Sequence, residues 1–159
     1  MKNKLEKIVV NSGIGRLSTA SPNFPEKVLP EIVKDFAALT GQKPATRAAR
    51  QSIAGFKIRE GQIVGLQVTL RGKRMTDFLE KIVKVVLPRV RDFRGIDLKN
   101  IDSRGNLNLG IKENVVFPEI NPEVSKAGFG LQITVVPKAV KSREEAVRLY
   151  RELGVPLKK

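Results

Sequence analysis

The chain has no cysteine, no histidine and no tryptophan in its 159 residues, and a single tyrosine stands beside seven phenylalanines. Without cysteine there is neither a disulfide framework nor a thiolate metal site. Without histidine, the commonest general base near neutral pH and the commonest transition-metal ligand are both missing. Catalysis would have to run on carboxylate, Lys, Ser/Thr or Tyr, and the carboxylates offer little. Glu113, Glu119 and Glu123 lie near a proline loop, while Asp92, Asp97 and Asp102 are scattered through a basic stretch, none at a helical metal-ligand spacing. No enzyme, no cofactor and no metal is therefore expected. So few aromatics also argue against stacking on single-stranded bases as the main binding mode. No apolar run approaches the ~20 residues that span a bilayer. The short apolar patch near the start has no small-residue cleavage site after it, so a cytoplasmic protein without a membrane partner is expected.

Acidic residues are scarce as well: 16 Asp and Glu face 30 Lys and Arg, a formal charge of +14. Such an excess repels itself, and a phosphate backbone would relieve it, which makes nucleic acid the first candidate partner. The charge is concentrated between Arg47 and Arg74, where seven Lys/Arg meet the single acid Glu60 among four glycines and alternating aliphatics. That is a basic surface on folded backbone, not a charged tail.

Along the chain, Leu5 to Asn11 reads as a strand that runs into a turn at Ser12-Gly13-Ile14-Gly15. A dinucleotide fingerprint is rejected there, because Ser18 replaces the third glycine and Pro22 and Pro25 interrupt the helix that should follow. Residues 17–24 read as a polar loop. Leu29, Ile32, Val33, Phe36 and Leu39 then recur at helical spacing before Gly41, which stands where a C-terminal cap belongs. Ala45 to Arg50 is expected as a short edge strand or loop, since Pro44 restricts Lys43 to extended backbone. The basic loop at 52–63 leaves two readings open: Phe56 and Ile58 tuck into the core, or they form a finger that orders against RNA.

Leu66, Val68 and Leu70 alternate with Gln67, Thr69 and Arg71 in a strand that Gly72-Lys73-Arg74 turns. Residues 77–87 form a helix with Phe78, Leu79, Ile82, Val83 and Val86 inward, ending at Pro88. Residues 89–104 read as irregular and exposed. Leu107, Leu109 and Ile111 alternate with Asn106, Asn108 and Gly110, residues 115–120 suggest a short extended piece, and Leu131, Ile133 and Val135 alternate with Gln132 and Thr134. Ser142 and Glu145 open a last helix as a capping box, with Ala146, Leu149, Tyr150 and Leu153 inward.

The expected fold is a single α+β domain over residues 1–159, a mostly antiparallel β-sheet with helices covering one face. The other face would carry neutral amides and hydroxyls, which reach phosphates, ribose 2′-hydroxyls and base edges at less desolvation cost than charges. A merely solvated sheet face remains the alternative.

These motifs also resemble a known family. KIVVNSGIG (7–15), LTGQKP (39–44), SIAGFKIREG (52–61), VTLRGKRM (68–75), LPRVRDFRG (87–95), RGNLNLGIKE (104–113) and FPEI (117–120) are similar, in order and over nearly the whole chain, to the bacterial-type large-subunit ribosomal protein L5 family. The resemblance implies a ribosomal protein of the central protuberance, in contact with large-subunit 23S-type rRNA and neighbouring proteins. It implies 5S rRNA binding through Asn11, Gln42, Thr69 and Arg71, with Lys43, Thr46, Arg47 and Gln67 on the same expected surface. It makes Ser52, Phe56, Lys57, Ile58 and Arg59 the loop that approaches the peptidyl-site tRNA, Lys57 and Arg59 meeting phosphate. Arg91, Arg94, Pro118 and Glu119 would face the head protein of the small subunit. The chain departs from the family where Gln67 replaces a frequent basic residue, and residues 16–24 match it poorly. A general structured-RNA-binding protein or RNA chaperone is the alternative function.

Overall fold

Alternation of oily and polar side chains is what makes strands here, because successive residues on extended backbone point to opposite faces. The computed structural model describes residues 4–125 and 127–159. It contains strands β1 (Leu5–Gly13), β2 (Ala45–Ala48), β3 (Ile63–Leu70), β4 (Leu107–Ile111) and β5 (Leu131–Pro137). They form one five-stranded sheet in the order β2-β3-β1-β5-β4, with every pairing antiparallel. Ile8, Val10, Leu66, Val68, Leu70, Leu107, Leu109, Ile133 and Val135 line the inner face and are buried.

Helices cover that face. The helix α1 (Gly15–Ala20) and a wide turn at Phe24–Val28 lead into α2 (Leu29–Thr40). Ile32, Phe36 and Leu39 on α2 are wholly buried, each contributing about 1.5–3 kcal/mol relative to exposure. The helix stops because Gly41 adopts φ +77° and its N–H bonds the Ala37 carbonyl, a left-handed conformation that costs a residue with a Cβ more than glycine. Helix α3 (Gly72–Lys81) runs through a π-type turn at Ile82–Val86 into the short α4 (Leu87–Arg89). Helix α5 (Arg143–Glu152) closes the chain. There the Ser142 hydroxyl accepts the Glu145 N–H, and the Glu145 carboxylate accepts the Lys141 N–H instead of that of Ser142.

Several local expectations are corrected. Gly13 ends β1 and Gly15 opens α1, and neither has a positive φ, so no unusual turn is needed there. Residues 17–24 are partly helical, not a loop. Gly72-Lys73-Arg74 forms the first turn of α3, with φ +64° at Gly72, and the helical segment passes Pro88 before it ends. Residues 114–120 form a 3-10 turn and further bends rather than an extended piece, with Phe117 and Ile120 buried.

The 89–104 stretch is not an exposed charge run either. Ile96 and Ile101 are buried. Ile96 pairs in parallel with Leu157, its N–H reaching the Pro156 carbonyl at 2.7 Å while Lys158 N–H reaches the Ile96 carbonyl at 2.8 Å. Arg143 on α5 donates to the carbonyls of Leu98 (2.6 Å) and Ile101 (3.1 Å). Among the described residues no helix is long and apolar enough to cross a membrane.

Candidate nucleic-acid interface

The register across the sheet assembles the uncovered face row by row. One row reads Ala45, Gln67, Asn11, Gln132 and Gly110; the next reads Thr69, Val9, Thr134 and Asn108. Gly13 lies opposite Gly65 and Arg47 opposite the same Gly65. Apart from Glu6 at one end, no strand carries an Asp or Glu. Acidic residues sit instead on the helical side: Glu31, Asp35, Asp77, Glu80, Glu144 and Glu152. The same helices also carry Lys34, Lys73, Arg74, Lys81, Arg143 and Arg148, so what distinguishes the face free of helices is that its strands are almost without acid, and a polyanion meets little repulsion there.

Most of the residues expected to bind RNA come together here. Asn11 is central and half-buried, with Gln67 and Gln132 as its neighbours on either side. Arg47 Nε donates to Gln67 Oε1 at 2.8 Å, so this pair forms one unit on the face. The Gln42 amide donates to the Thr69 carbonyl at 3.3 Å and accepts from Arg74 Nη1 at 3.2 Å, which ties the end of α2 to β3 and to α3. Lys43 is exposed in the lead to β2, and Arg71 is exposed on extended backbone, continuing the alternation of Gln67 and Thr69. Thr46 is the exception. It pairs with Leu66 and therefore points to the opposite side of the sheet, at the exposed edge.

The 52–63 loop lies away from these rows and is internally braced. Ile53 and Ile58 exchange backbone hydrogen bonds of 2.9 and 3.1 Å, and Ser52 Oγ accepts the Glu60 N–H at 2.9 Å. Phe56 and Ile58 differ in burial, and only Ile58 turns toward the protein. Ile58 is half-buried, close to where a Cβ on Gly15 would lie, whereas Phe56 is 71% exposed. Beside it Lys57 takes φ +57°, and Lys57 and Arg59 are both exposed.

The residues expected to face the small subunit divide. Arg91 lines an open cleft of about 710 Å³ with Arg89, Lys112, Glu113 and Val116, and Arg94 and Pro118 are exposed. Glu119 is turned back on the protein, its carboxylate 2.8 Å from Lys81 Nζ. That ammonium also donates to the Leu39 carbonyl and lies 5.5 and 5.7 Å from the Phe78 and Phe117 ring centroids. Lys81 thereby fastens the 117–120 loop to the end of α2. Nothing in local sequence pairs Lys81 with Glu119.

Sequence reasoning left out Lys7 and Lys112. Lys7 could have been found, because it continues the Val9, Asn11 alternation of β1; Lys112 lies beyond the end of β4. Asn106 is partly spent on its own loop, its N–H and side-chain amide both reaching the Asp102 carboxylate. Burial would raise the Asp102 pKa, but those bonds and the Arg104 N–H outweigh it and hold the carboxyl below its ordinary value. Among the described residues no cluster of acidic side chains is arranged to hold a metal ion.

Known protein families match almost the whole chain. The family described as Ribosomal protein L5 matches residues 2–59, and the ribosomal L5P family C-terminus matches residues 63–157. These two segments share one sheet, since β3 of the second pairs with β1 and β2 of the first. Large ribosomal subunit protein uL5 of Halothermothrix orenii is 47% identical over 96% of this chain and 82% of its own length. Its counterpart from Rubrobacter xylanophilus is 49% identical over 97% and 82%, and that of Acholeplasma laidlawii 49% over 98% and 83%. The chain belongs to the ribosomal protein L5 family, whose members are structural proteins of the ribosome and not enzymes.

Proposed function

We propose that this chain is a structural constituent of the large ribosomal subunit, in the cytoplasm, whose uncovered sheet face docks 5S rRNA and helps anchor it in the central protuberance. The observation that carries the reading is the uncovered sheet face: rows of amides and hydroxyls with Lys7, Arg47, Arg71 and Lys112 around them, on strands whose one acid is Glu6. Asn, Gln and Thr side chains donate and accept, so they serve phosphate oxygens, 2′-hydroxyls and base edges alike. The cations supply sequence-independent affinity by releasing counterions.

In the same reading the whole of 1–159 acts as one RNA-binding domain. The braced loop around Phe56, Lys57 and Arg59 reaches the peptidyl-site tRNA, with an exposed ring and two cations suited to a folded RNA surface. Arg91, Arg94 and the loop at Pro118 face a head protein of the small subunit. Large-subunit 23S-type rRNA and neighbouring central-protuberance proteins complete its surroundings.

Filter binding at physiological salt tests the proposal, with 5S rRNA against an unrelated structured RNA of equal length. The account expects about 1,000-fold preference for 5S rRNA, the lower end of the usual gap between specific and non-specific binding. Equal affinities would refute it and favour a general structured-RNA-binding protein or RNA chaperone.

A further inference from the structure

At one end of the polar face the sheet loses its side chains. Gly13, Gly65 and Gly110 project on this face from β1, β3 and β4. A depression of about 390 Å³ opens there, lined among others by Asn11, Gly13, Gly110, Lys112 and Gln132. A Cβ built on Gly13 or Gly110 would meet nothing within 4 Å. Neither glycine has a positive φ, so neither is there for backbone strain or for packing within the protein. What their bare peptide planes provide is a flat floor.

The side chains at the wall differ from the rest of the face in one respect. Gln67 is engaged by Arg47, Thr134 by Asn108, and Gln42 by Thr69 and Arg74. Among the described residues, Asn11 and Gln132 have no intramolecular side-chain hydrogen bond. They are adjacent in register. Two uncommitted amides over a flat floor, with the exposed Lys112 at the rim, match the chemistry of a nucleobase. The floor takes the π-face, the amides take donor and acceptor pairs on the base edge, and the ammonium takes the phosphate that follows.

We propose that this depression receives one unstacked base of the bound RNA, so that the face reads a nucleotide extruded from the helix in addition to the helix's shape. The inference rests on the reading of the face as an RNA-docking surface. Because Gly110 is exposed and open, Gly110→Val fills the depression without disturbing the fold, and Gln132→Leu removes one amide from an exposed position; circular dichroism melts check both.

The probe is 5S rRNA in which each unpaired nucleotide in turn is replaced by an abasic residue. Wild type is expected to lose about tenfold in affinity at one such position, the scale of a good base contact. Gly110→Val and Gln132→Leu should bind intact 5S rRNA about tenfold more weakly and be indifferent to that same abasic change. If no abasic position matters while wild type still prefers 5S rRNA to the control RNA, the base site is refuted and the docking surface stands. A sensitive position to which Gly110→Val remains equally sensitive also refutes the base site. Equal binding of 5S rRNA and control RNA by wild type overturns both.

Discussion

Lys81→Met separates what holds the fold from what meets RNA. The ammonium of Lys81 makes an ion pair with Glu119 in which the two side chains are 21% and 32% exposed. It also donates to the Leu39 carbonyl and faces two aromatic rings. A partly screened ion pair is worth about 0.5 kcal/mol, a hydrogen bond from a charged donor about 1.5 kcal/mol, and each ring contact about 0.5 kcal/mol. Methionine keeps the aliphatic stem in place, so the loss is confined to the charge and amounts to about 2–3 kcal/mol. In a chain of 159 residues each kcal/mol moves Tm by roughly 2–4 °C, which gives a fall of about 5–10 °C. Calorimetry measures that fall, and cleavage after Glu119 by a Glu-specific protease should accelerate as the 117–120 loop loosens. Filter binding at 20 °C, where the variant is folded, should show 5S rRNA affinity within twofold of wild type. A Tm change below 2 °C would refute the role given to the ammonium, and a large loss of affinity would refute the separation of helical side from binding face.

Arg71→Ala should weaken 5S rRNA binding and reduce the slope of log affinity against log salt by about one unit, the signature of one lost phosphate contact; identical slopes would contradict its placement at the rim. Lys57→Ala should leave 5S rRNA affinity unchanged while reducing crosslinking to peptidyl-site tRNA in assembled ribosomes, and unchanged crosslinking would oppose that role. Because the folded state holds the Asp102 carboxyl below its ordinary 3.8, its stabilisation is complete above that value and is lost as pH falls through the lowered one. Asp102→Asn should therefore cost about 1 kcal/mol at pH 7, and the gap to wild type should close on acidification below pH 3.8; a gap that stays constant down to pH 2 would refute the linkage.

How much of this could be read beforehand depended on whether the cause was local. The alternations 66–71, 107–111 and 131–135 were legible because a strand's period of two is written in consecutive residues, and Gly41 because a helix stop is a local event. The helix at 15–20 was not, since a six-residue segment with no apolar repeat has no period to detect. Ile96 and Ile101 looked exposed amid charge because Leu157, which pairs with Ile96, and Arg143, which bonds the Ile101 carbonyl, are distant in sequence. The polar face was legible in composition, yet which amides are spent and which are free required the register. Asn11 and Gln132 are equivalent to Gln67 on paper; only the Arg47 side chain distinguishes them. Thr46 lies on the side opposite Arg47 because consecutive residues of a strand point to opposite faces.

The central claim is that RNA lies against the uncovered face and not against the helices. A photocrosslinking amino acid placed at Thr134, in the middle of the polar rows, or at Lys34, exposed on α2 behind the sheet, addresses it most directly. With 5S rRNA bound and irradiated, the account predicts a strong protein–RNA crosslink from position 134 and none above background from position 34. A crosslink from position 34 with none from 134 would contradict it.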